Sequence, residues 1–163
     1  MIKYSSRDIL NQAMQIEEAG NKFYDRLSEM TEDAQQKKIF QVMANQELKH
    51  IDIYKVFLEK LESLATDQQN ANDDFDLAKH ELLKDRIFNR LDTVKKVSKI
   101  NTVGNALNYL VEIEIDVVSF YDNFRKLLNA ADQVQLDAVI NEERSHVKML
   151  VDLRQQYKSV RLK

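Results

Sequence analysis

The segments Asn45-Gln46-Glu47-Leu48-Lys49-His50 and Asn141-Glu142-Glu143-Arg144-Ser145-His146 share the pattern Asn-x-Glu-x-x-His at an offset of 96 residues. A second pattern repeats upstream of each segment. Glu17 and Glu114, which are 97 residues apart, are each followed six and seven residues later by Phe-Tyr, as Phe23-Tyr24 and Phe120-Tyr121. The chain therefore consists of two copies of one design, and each copy carries a Glu followed by a Glu-x-x-His.

Apolar spacing around the first copy predicts a pair of helices. The first helix starts at Ser5 or Ser6, where Asp8 completes an approximate capping box, and it ends near Met30. Residues 31–33 form a short turn. A turn of this length predicts that the second helix runs antiparallel to the first.

The second copy predicts another pair of helices, with one ambiguity. The third helix starts near Thr102, and residues 129–132 form a turn in which Asp132 is the candidate cap of the fourth helix. Residues 111–117 alternate apolar and acidic side chains, which alone would indicate a half-exposed strand. Because the stretches on both sides keep helical spacing, we expect the helix to continue through residues 111–117.

The stretch between the two hairpins is interpreted as a long crossover. Residues 65–74 are rich in Gln, Asn and Asp, as loops are, and residues 75–100 are highly charged with a weak helical pattern. His80 lies in this charged stretch and is expected to be solvated. The expected organisation is a single domain, residues 1–163, with hairpins at 5–64 and 102–158 and the crossover at 65–101.

Composition predicts the all-α class, which together with the two helix pairs gives an antiparallel four-helix bundle, and it argues against several functions. The 163 residues include no Pro and two Gly, so turn signals are scarce. A net charge of -3 with interspersed signs argues against nucleic-acid binding. The lack of Cys excludes disulfides, thiolate zinc sites and iron–sulfur clusters in these residues. With neither a membrane-spanning apolar run nor a signal peptide, a cytoplasmic protein is expected.

The two Glu-x-x-His motifs have the spacing of metal ligands on a helix. Residues three apart lie about 60° apart around the helix axis, so the Glu and His of each motif can bind a shared centre. A Glu from each of two helices and a Glu-x-x-His from each of the other two is the known ligand arrangement of di-iron carboxylate bundles. The candidate metal ligands are therefore Glu17, Glu47, His50, Glu114, Glu143 and His146.

Charge balance supports the metal interpretation. Burial of each uncompensated ion costs on the order of several kcal/mol, and two divalent cations would neutralise four carboxylates. Mixed carboxylate and imidazole ligands favour two iron ions per chain, with manganese or zinc as alternatives. Tyr24 and Tyr121 lie two turns beyond Glu17 and Glu114. Hydrogen bonds from their hydroxyls to a ligand carboxylate of the opposite hairpin, and aromatic core packing, are equally open interpretations.

The sequence resembles the rubrerythrin branch of the ferritin-like superfamily through four motifs: Glu17 with Phe23-Tyr24, residues 45–50, Glu114 with Phe120-Tyr121, and residues 143–146. The resemblance covers the four helices and leaves residues 65–101 aside. It implies that Glu47 and Glu143 bridge or flank the metals, while Glu17 with His50 and Glu114 with His146 complete each side. It also implies peroxide reduction at a di-iron centre, a rubredoxin-type electron donor and a homodimer.

Two departures from the rubrerythrin pattern, and a six-ligand site that equally resembles those of bacterioferritin-type ferroxidases, keep more than one function open. Rubrerythrins carry an additional Glu one turn after the ligand of helix three, where this chain has Val117. A rubredoxin domain is missing, so another protein is expected to donate electrons. Leu48 stands where bacterioferritin has its haem-ligating Met, so no haem is expected. The leading hypothesis is an oxidoreductase that reduces peroxide or dioxygen. The alternatives are a ferroxidase of a ferritin-like iron-handling assembly and a non-catalytic, metal-stabilised interaction module.

Overall fold

The computed structural model describes residues 5–63, 76–96 and 103–160. These ranges contain five α-helices and no strand: α1 (Ser6–Met30), α2 (Ala34–Ser63), α3 (Leu77–Lys96), α4 (Val103–Phe124) and α5 (Ala130–Val160). The all-α prediction is confirmed, and the ambiguous residues 111–117 are helical. None of these helices is long and apolar enough to cross a membrane. The predicted loop at 65–74 and the predicted helix start at Thr102 lie outside the described residues.

The first hairpin begins with the predicted capping box. The Asp8 backbone N–H donates to Ser5 Oγ at 3.2 Å, and the Ser5 backbone N–H donates to Asp8 Oδ2 at 2.8 Å. Together these bonds satisfy donors that a helix start leaves unpaired. Helix α1 ends at Met30, and the short connection to Ala34 places α2 antiparallel to it and in contact with it along the pair.

The second hairpin joins α4 and α5 through a 3₁₀ turn at Arg125–Leu127. Here the predicted cap is wrong by three residues. Asn129 caps α5, because its Oδ1 accepts the backbone N–H groups of Ala131 and Asp132, each at 3.0 Å. Asp132 lies inside the first turn of the helix, where its negative charge is favourable next to the positive helix end.

The stretch interpreted as a crossover contains a full helix, α3, that packs against α4. His80, Leu83, Ile87 and Leu91 form a buried row along one face of α3. Their spacing of three and four residues is the helical signal, but it is diluted by the charged residues of the opposite face. The high charge of this segment therefore marks the outer face of a packed helix and not a solvated connection.

Ion pairs and a capping interaction hold α3 on α4. Buried Asp116 pairs with Arg86, whose Nη2 lies 2.9 Å from Asp116 Oδ1, and also with Arg90. At the start of α3, the Asn123 side-chain amide donates to the backbone carbonyl of Asp76 at 2.9 Å. The Asp116 carboxylate thus faces α3. Glu114, two residues earlier, is the acidic residue of this stretch that faces the bundle interior.

The expectation that His80 is solvated is wrong. Its side chain is 0% exposed, its Nε2 lies 3.0 Å from Gln12 Oε1, and its ring centroid lies 4.8 Å from that of Phe120. Burial, with Lys84 nearby, lowers the pKa of His80 to about 4. His80 therefore serves as a neutral residue of the core between α1, α3 and α4.

The core of the bundle is divided into two apolar clusters along its length. On α1, Ile9, Ala13 and Ile16 belong to one cluster, whereas Tyr24 and Leu27 belong to the other. Helices α2, α4 and α5 contribute to both clusters in the same way. Glu17 and its repeat partner Glu114 lie between the clusters, so a buried polar layer separates the two apolar halves.

Candidate metal centre

The structure brings all six candidate ligands together in the layer between the apolar clusters. Each of the six is at most 5% exposed. They form two groups in which the potential ligand atoms lie within 4.8 Å of one another. The first group contains Glu17, Glu47, His50 and Glu143, and the second contains Glu47, Glu114, Glu143 and His146. Glu47 and Glu143 belong to both groups, so the arrangement suits two ions that share two carboxylates.

The imidazoles turn one nitrogen toward this centre. His50 Nδ1 lies 2.8 Å from Glu143 Oε1, 3.3 Å from Glu47 Oε2 and 3.4 Å from Glu17 Oε2. His146 Nδ1 lies 3.0 Å from Glu143 Oε2 and 3.4 Å from Glu47 Oε1. Each Nδ1 is therefore the nitrogen placed to bind a metal.

The outward nitrogens contact two residues that the sequence interpretation missed. His50 Nε2 lies 3.2 Å from Glu142 Oε2, and His146 Nε2 lies 3.0 Å from Gln46 Oε1. Gln46 and Glu142 occupy equivalent positions of the repeat, since each directly precedes a motif glutamate. This equivalence is the signal in the sequence that could have identified them, although neither residue belongs to the apolar row of its helix.

The two tyrosines of the repeat bond to carboxylates of the opposite hairpin. The Tyr24 hydroxyl donates to Glu114 Oε1, and the Tyr121 hydroxyl donates to Glu17 Oε1. Both rings are also buried in the core, so hydrogen bonding and packing occur together. Burial, together with Glu114 for Tyr24 and Glu17 for Tyr121, raises the pKa of each hydroxyl well above its usual value. Both phenols therefore remain protonated donors.

Burial and neighbouring charges shift the pKa values of the cluster. Burial, with Glu143 close by, raises the pKa of Glu47 and of Glu114 well above the usual value. Burial acts on Glu143 in the same direction, but the hydrogen bonds and charges of His146 and His50 outweigh it and lower the pKa to about 2. Although burial lowers the pKa of both imidazoles, contact with Glu143 raises the pKa of His50 and His146 overall.

The donor set fits divalent metal ions. Glu47 Oε2, His50 Nδ1 and Glu143 Oε1 are buried against one another, and none of the three makes a hydrogen bond of regular geometry within the described part of the chain. Buried polar atoms without partners are costly, and metal coordination is one way to compensate for the cost. Four carboxylates and two imidazoles match the preferences of iron or manganese.

A small cavity opens beside the cluster. It holds about 10 Å³ and is bordered by Glu17, Glu47 and Glu114 on its polar side. Its remaining lining is Gly20 and the apolar side chains Ile16, Phe23, Leu91, Leu110, Ile113 and Val117. This volume accommodates about one water-sized molecule. Since Leu91 belongs to α3, this helix contributes one part of the cavity wall.

Comparison with known proteins places this geometry in a family. A comparison with curated proteins gave no match. The fold is similar to that of a Thermotoga maritima protein assigned to the ferritin-like diiron-carboxylate proteins, with a TM-score of 0.68 at 24% identity over 96% of this chain and 99% of that chain. The rubrerythrin family model matches residues 8–154, a range that includes all six candidate ligands. This chain therefore belongs to the rubrerythrin family.

Proposed function

We propose that this chain binds two iron ions in the buried cluster and uses them to reduce a small oxidant, hydrogen peroxide or dioxygen. The observation that carries the proposal is the pair of four-residue groups that share Glu47 and Glu143. Family membership supports the same assignment, and so does the description of the Thermotoga maritima protein as a diiron-carboxylate protein.

The side chains have distinct roles in this proposal. Glu17 with His50 would hold one ion and Glu114 with His146 the other, while bound iron would supply the oxidant with one electron from each ferrous ion. The Tyr24 and Tyr121 hydroxyls fix the orientation of Glu114 and Glu17 through their hydrogen bonds. The apolar clusters on both sides exclude bulk water from the centre.

The cavity favours a small oxidant. It borders three of the carboxylates and has room for about one water-sized molecule, so a diatomic or similarly small oxidant fits the approach better than an organic substrate. Reduction of one peroxide to two waters consumes two electrons and two protons. The chain has no Cys, and we propose that a rubredoxin-type donor outside these residues restores the electrons.

Anaerobic loading followed by rapid mixing tests the proposal. The metal-free protein should bind two ferrous ions per chain, and stopped-flow mixing with peroxide or with dioxygen should oxidise them within a catalytic turnover time. Glu47→Ala or Glu143→Ala should lower the metal content well below two, whereas Glu112→Ala, which removes a 59% exposed carboxylate from α4, should not. Slow oxidation by both oxidants would indicate a metal site without catalytic function. An unchanged number of metal ions per chain in Glu47→Ala and Glu143→Ala would refute the ligand assignments.

A ferroxidase is the second candidate, favoured by one residue. Val117 lines the cavity at the place where the resemblance implies an additional Glu for peroxide turnover. A ferroxidase that stores its product requires a closed multimeric shell. Gel filtration separates the two functions, because the dimer implied by the peroxidase proposal cannot enclose a mineral core.

A further inference from the structure

The two imidazoles of the cluster differ in what contacts their outward nitrogens. His50 Nε2 faces the carboxylate of Glu142 at 3.2 Å, whereas His146 Nε2 faces the amide of Gln46 at 3.0 Å. In both cases the contact runs to the opposite hairpin. The pseudo-symmetry of the repeat is therefore broken at one pair of equivalent positions, an acid in one copy and an amide in the other.

A third hydrogen bond fixes the direction of the whole chain of contacts. Gln46 Nε2 donates to Glu142 Oε2 at 3.1 Å, which leaves Gln46 Oε1 facing His146. When each Nδ1 binds a metal, the proton of the ring resides on Nε2. The ring N–H of His50 then donates to a carboxylate, and the ring N–H of His146 donates to an amide oxygen.

The two acceptors are chemically unequal. A hydrogen bond to a carboxylate is roughly twice as strong as one between neutral groups. A carboxylate behind a ligating imidazole also fixes the ring and makes the facing nitrogen a stronger donor to the metal. Two other features of the ligands are paired between the copies: each end carboxylate accepts from one tyrosine, and Glu47 and Glu143 are shared.

We propose that Glu142 is a positioning residue that makes the two metal positions unequal. The position formed with Glu17 and His50 binds its ion first and more tightly than the position formed with Glu114 and His146. This inference rests on the metal-binding part of the proposed function and is independent of the oxidant. Removal of such a partner typically weakens metal affinity by about 10- to 100-fold, which sets the size of the expected difference.

Zinc titration followed by NMR tests the order of filling. Zinc is diamagnetic and does not react with oxygen, so full-length protein labelled with ¹⁵N-histidine can report each ring separately. His80→Gln removes the third histidine, and one His50→Gln variant assigns the remaining two signals. In the His80→Gln protein, which keeps both ligand histidines, the His50 signal should convert to its bound form during the first equivalent of zinc and the His146 signal during the second.

The exchange variant Gln46→Glu with Glu142→Gln supplies the matched control. It keeps the composition and net charge, and it should reverse the order so that His146 converts first. The single variant Glu142→Gln should abolish the order and weaken the first binding step by about 10- to 100-fold, which decides the question if the exchange variant does not fold.

Each result is decisive. Simultaneous conversion in the unmodified protein, or the same order before and after the exchange, would overturn the role of Glu142 while leaving the metal site in place. Failure of the unmodified protein to take up two zinc ions would instead overturn the metal site itself and, with it, this inference.

Discussion

Filling the centre with two divalent ions should release about four protons per chain near neutral pH. Burial and neighbouring carboxylates raise the pKa of Glu47 and Glu114, and contact with Glu143 raises the pKa of His50 and His146; both shifts favour the protonated form of these four groups before the metal binds. Each must lose that proton to bind a metal. With a pKa of about 2, Glu143 is already ionised and contributes none.

The sign and size of the pH dependence follow from this count. Four protons leave as two dications enter, so the charge of the buried layer is unchanged by loading. Because protons compete with the metal, affinity rises with pH, by about 100-fold per ion and pH unit when two protons leave per ion. The rise levels off only above the raised pKa values of the four groups.

Calorimetry measures the proton count directly. Zinc is titrated into the metal-free protein at pH 7 in buffers of different ionisation enthalpy, and the observed heat plotted against that enthalpy gives the number of protons released. His80→Gln should leave the count unchanged, because the low pKa of His80 keeps it neutral at this pH. A count near zero would refute the reasoning, since the four groups would then already be deprotonated before the metal arrives.

Three further predictions concern stability and access. Burial lowers the pKa of His80 to about 4, against 6.5 for the ordinary residue, so between these pH values the unfolded chain binds a proton that the folded chain does not. The free energy of unfolding should therefore decline as pH falls from 6.5 to 4, by at most about 1.4 kcal/mol per pH unit. Denaturant titrations should show a flatter decline for His80→Gln, and equal slopes in the two proteins would contradict the prediction. Gly20→Ala should stabilise α1 by about 1 kcal/mol, because the new Cβ meets only ordinary contacts, at 3.5 Å from Glu47. The same methyl group narrows the cavity, so the loaded centre should be oxidised more slowly in stopped-flow mixing. Gly104→Ala, outside the cavity lining, should leave that oxidation rate unchanged. Asp116→Asn should lower the free energy of unfolding by about 1–3 kcal/mol, because Arg86 and Arg90 lose a buried partner. Glu112→Gln, at an exposed ion pair, should change the free energy of unfolding by less than about 0.5 kcal/mol. Equal effects of the two substitutions would show that the burial of Asp116 is unimportant.

The ligand positions could be predicted from sequence because they repeat. Glu17 and Glu114 lie on apolar rows at equivalent positions, and a carboxylate on such a row must face the interior of a bundle. The same reasoning predicts that Glu114 faces the interior and Glu112 does not, and the structure places the exposed Glu112 side chain in an ion pair with Arg90. Metal ligation itself stays a prediction until an ion is measured.

The packing of α3 and the contact of Glu142 could not be predicted in the same way. The row of His80, Leu83, Ile87 and Leu91 is visible only once α4 is known to cover it, because the charged residues of α3 dominate its composition. Glu142 lies beside the apolar row and carries no periodic signal, yet its side chain reaches the outer nitrogen of His50 on the facing helix. Periodicity identifies which face is buried, but it does not identify which residue lies across the gap.

The crosswise tyrosine bonds have a consequence for how such a centre can be assembled. The Tyr24 hydroxyl donates to Glu114 and the Tyr121 hydroxyl donates to Glu17, so neither hairpin alone supplies the hydrogen bond to its own glutamate. Two identical hairpins related by a two-fold axis would, however, present the same complement of one carboxylate, one Glu-x-x-His and one tyrosine from each partner. A shorter chain carrying a single copy of the design could therefore reconstitute the site by self-association, with the dyad passing between the two metal positions.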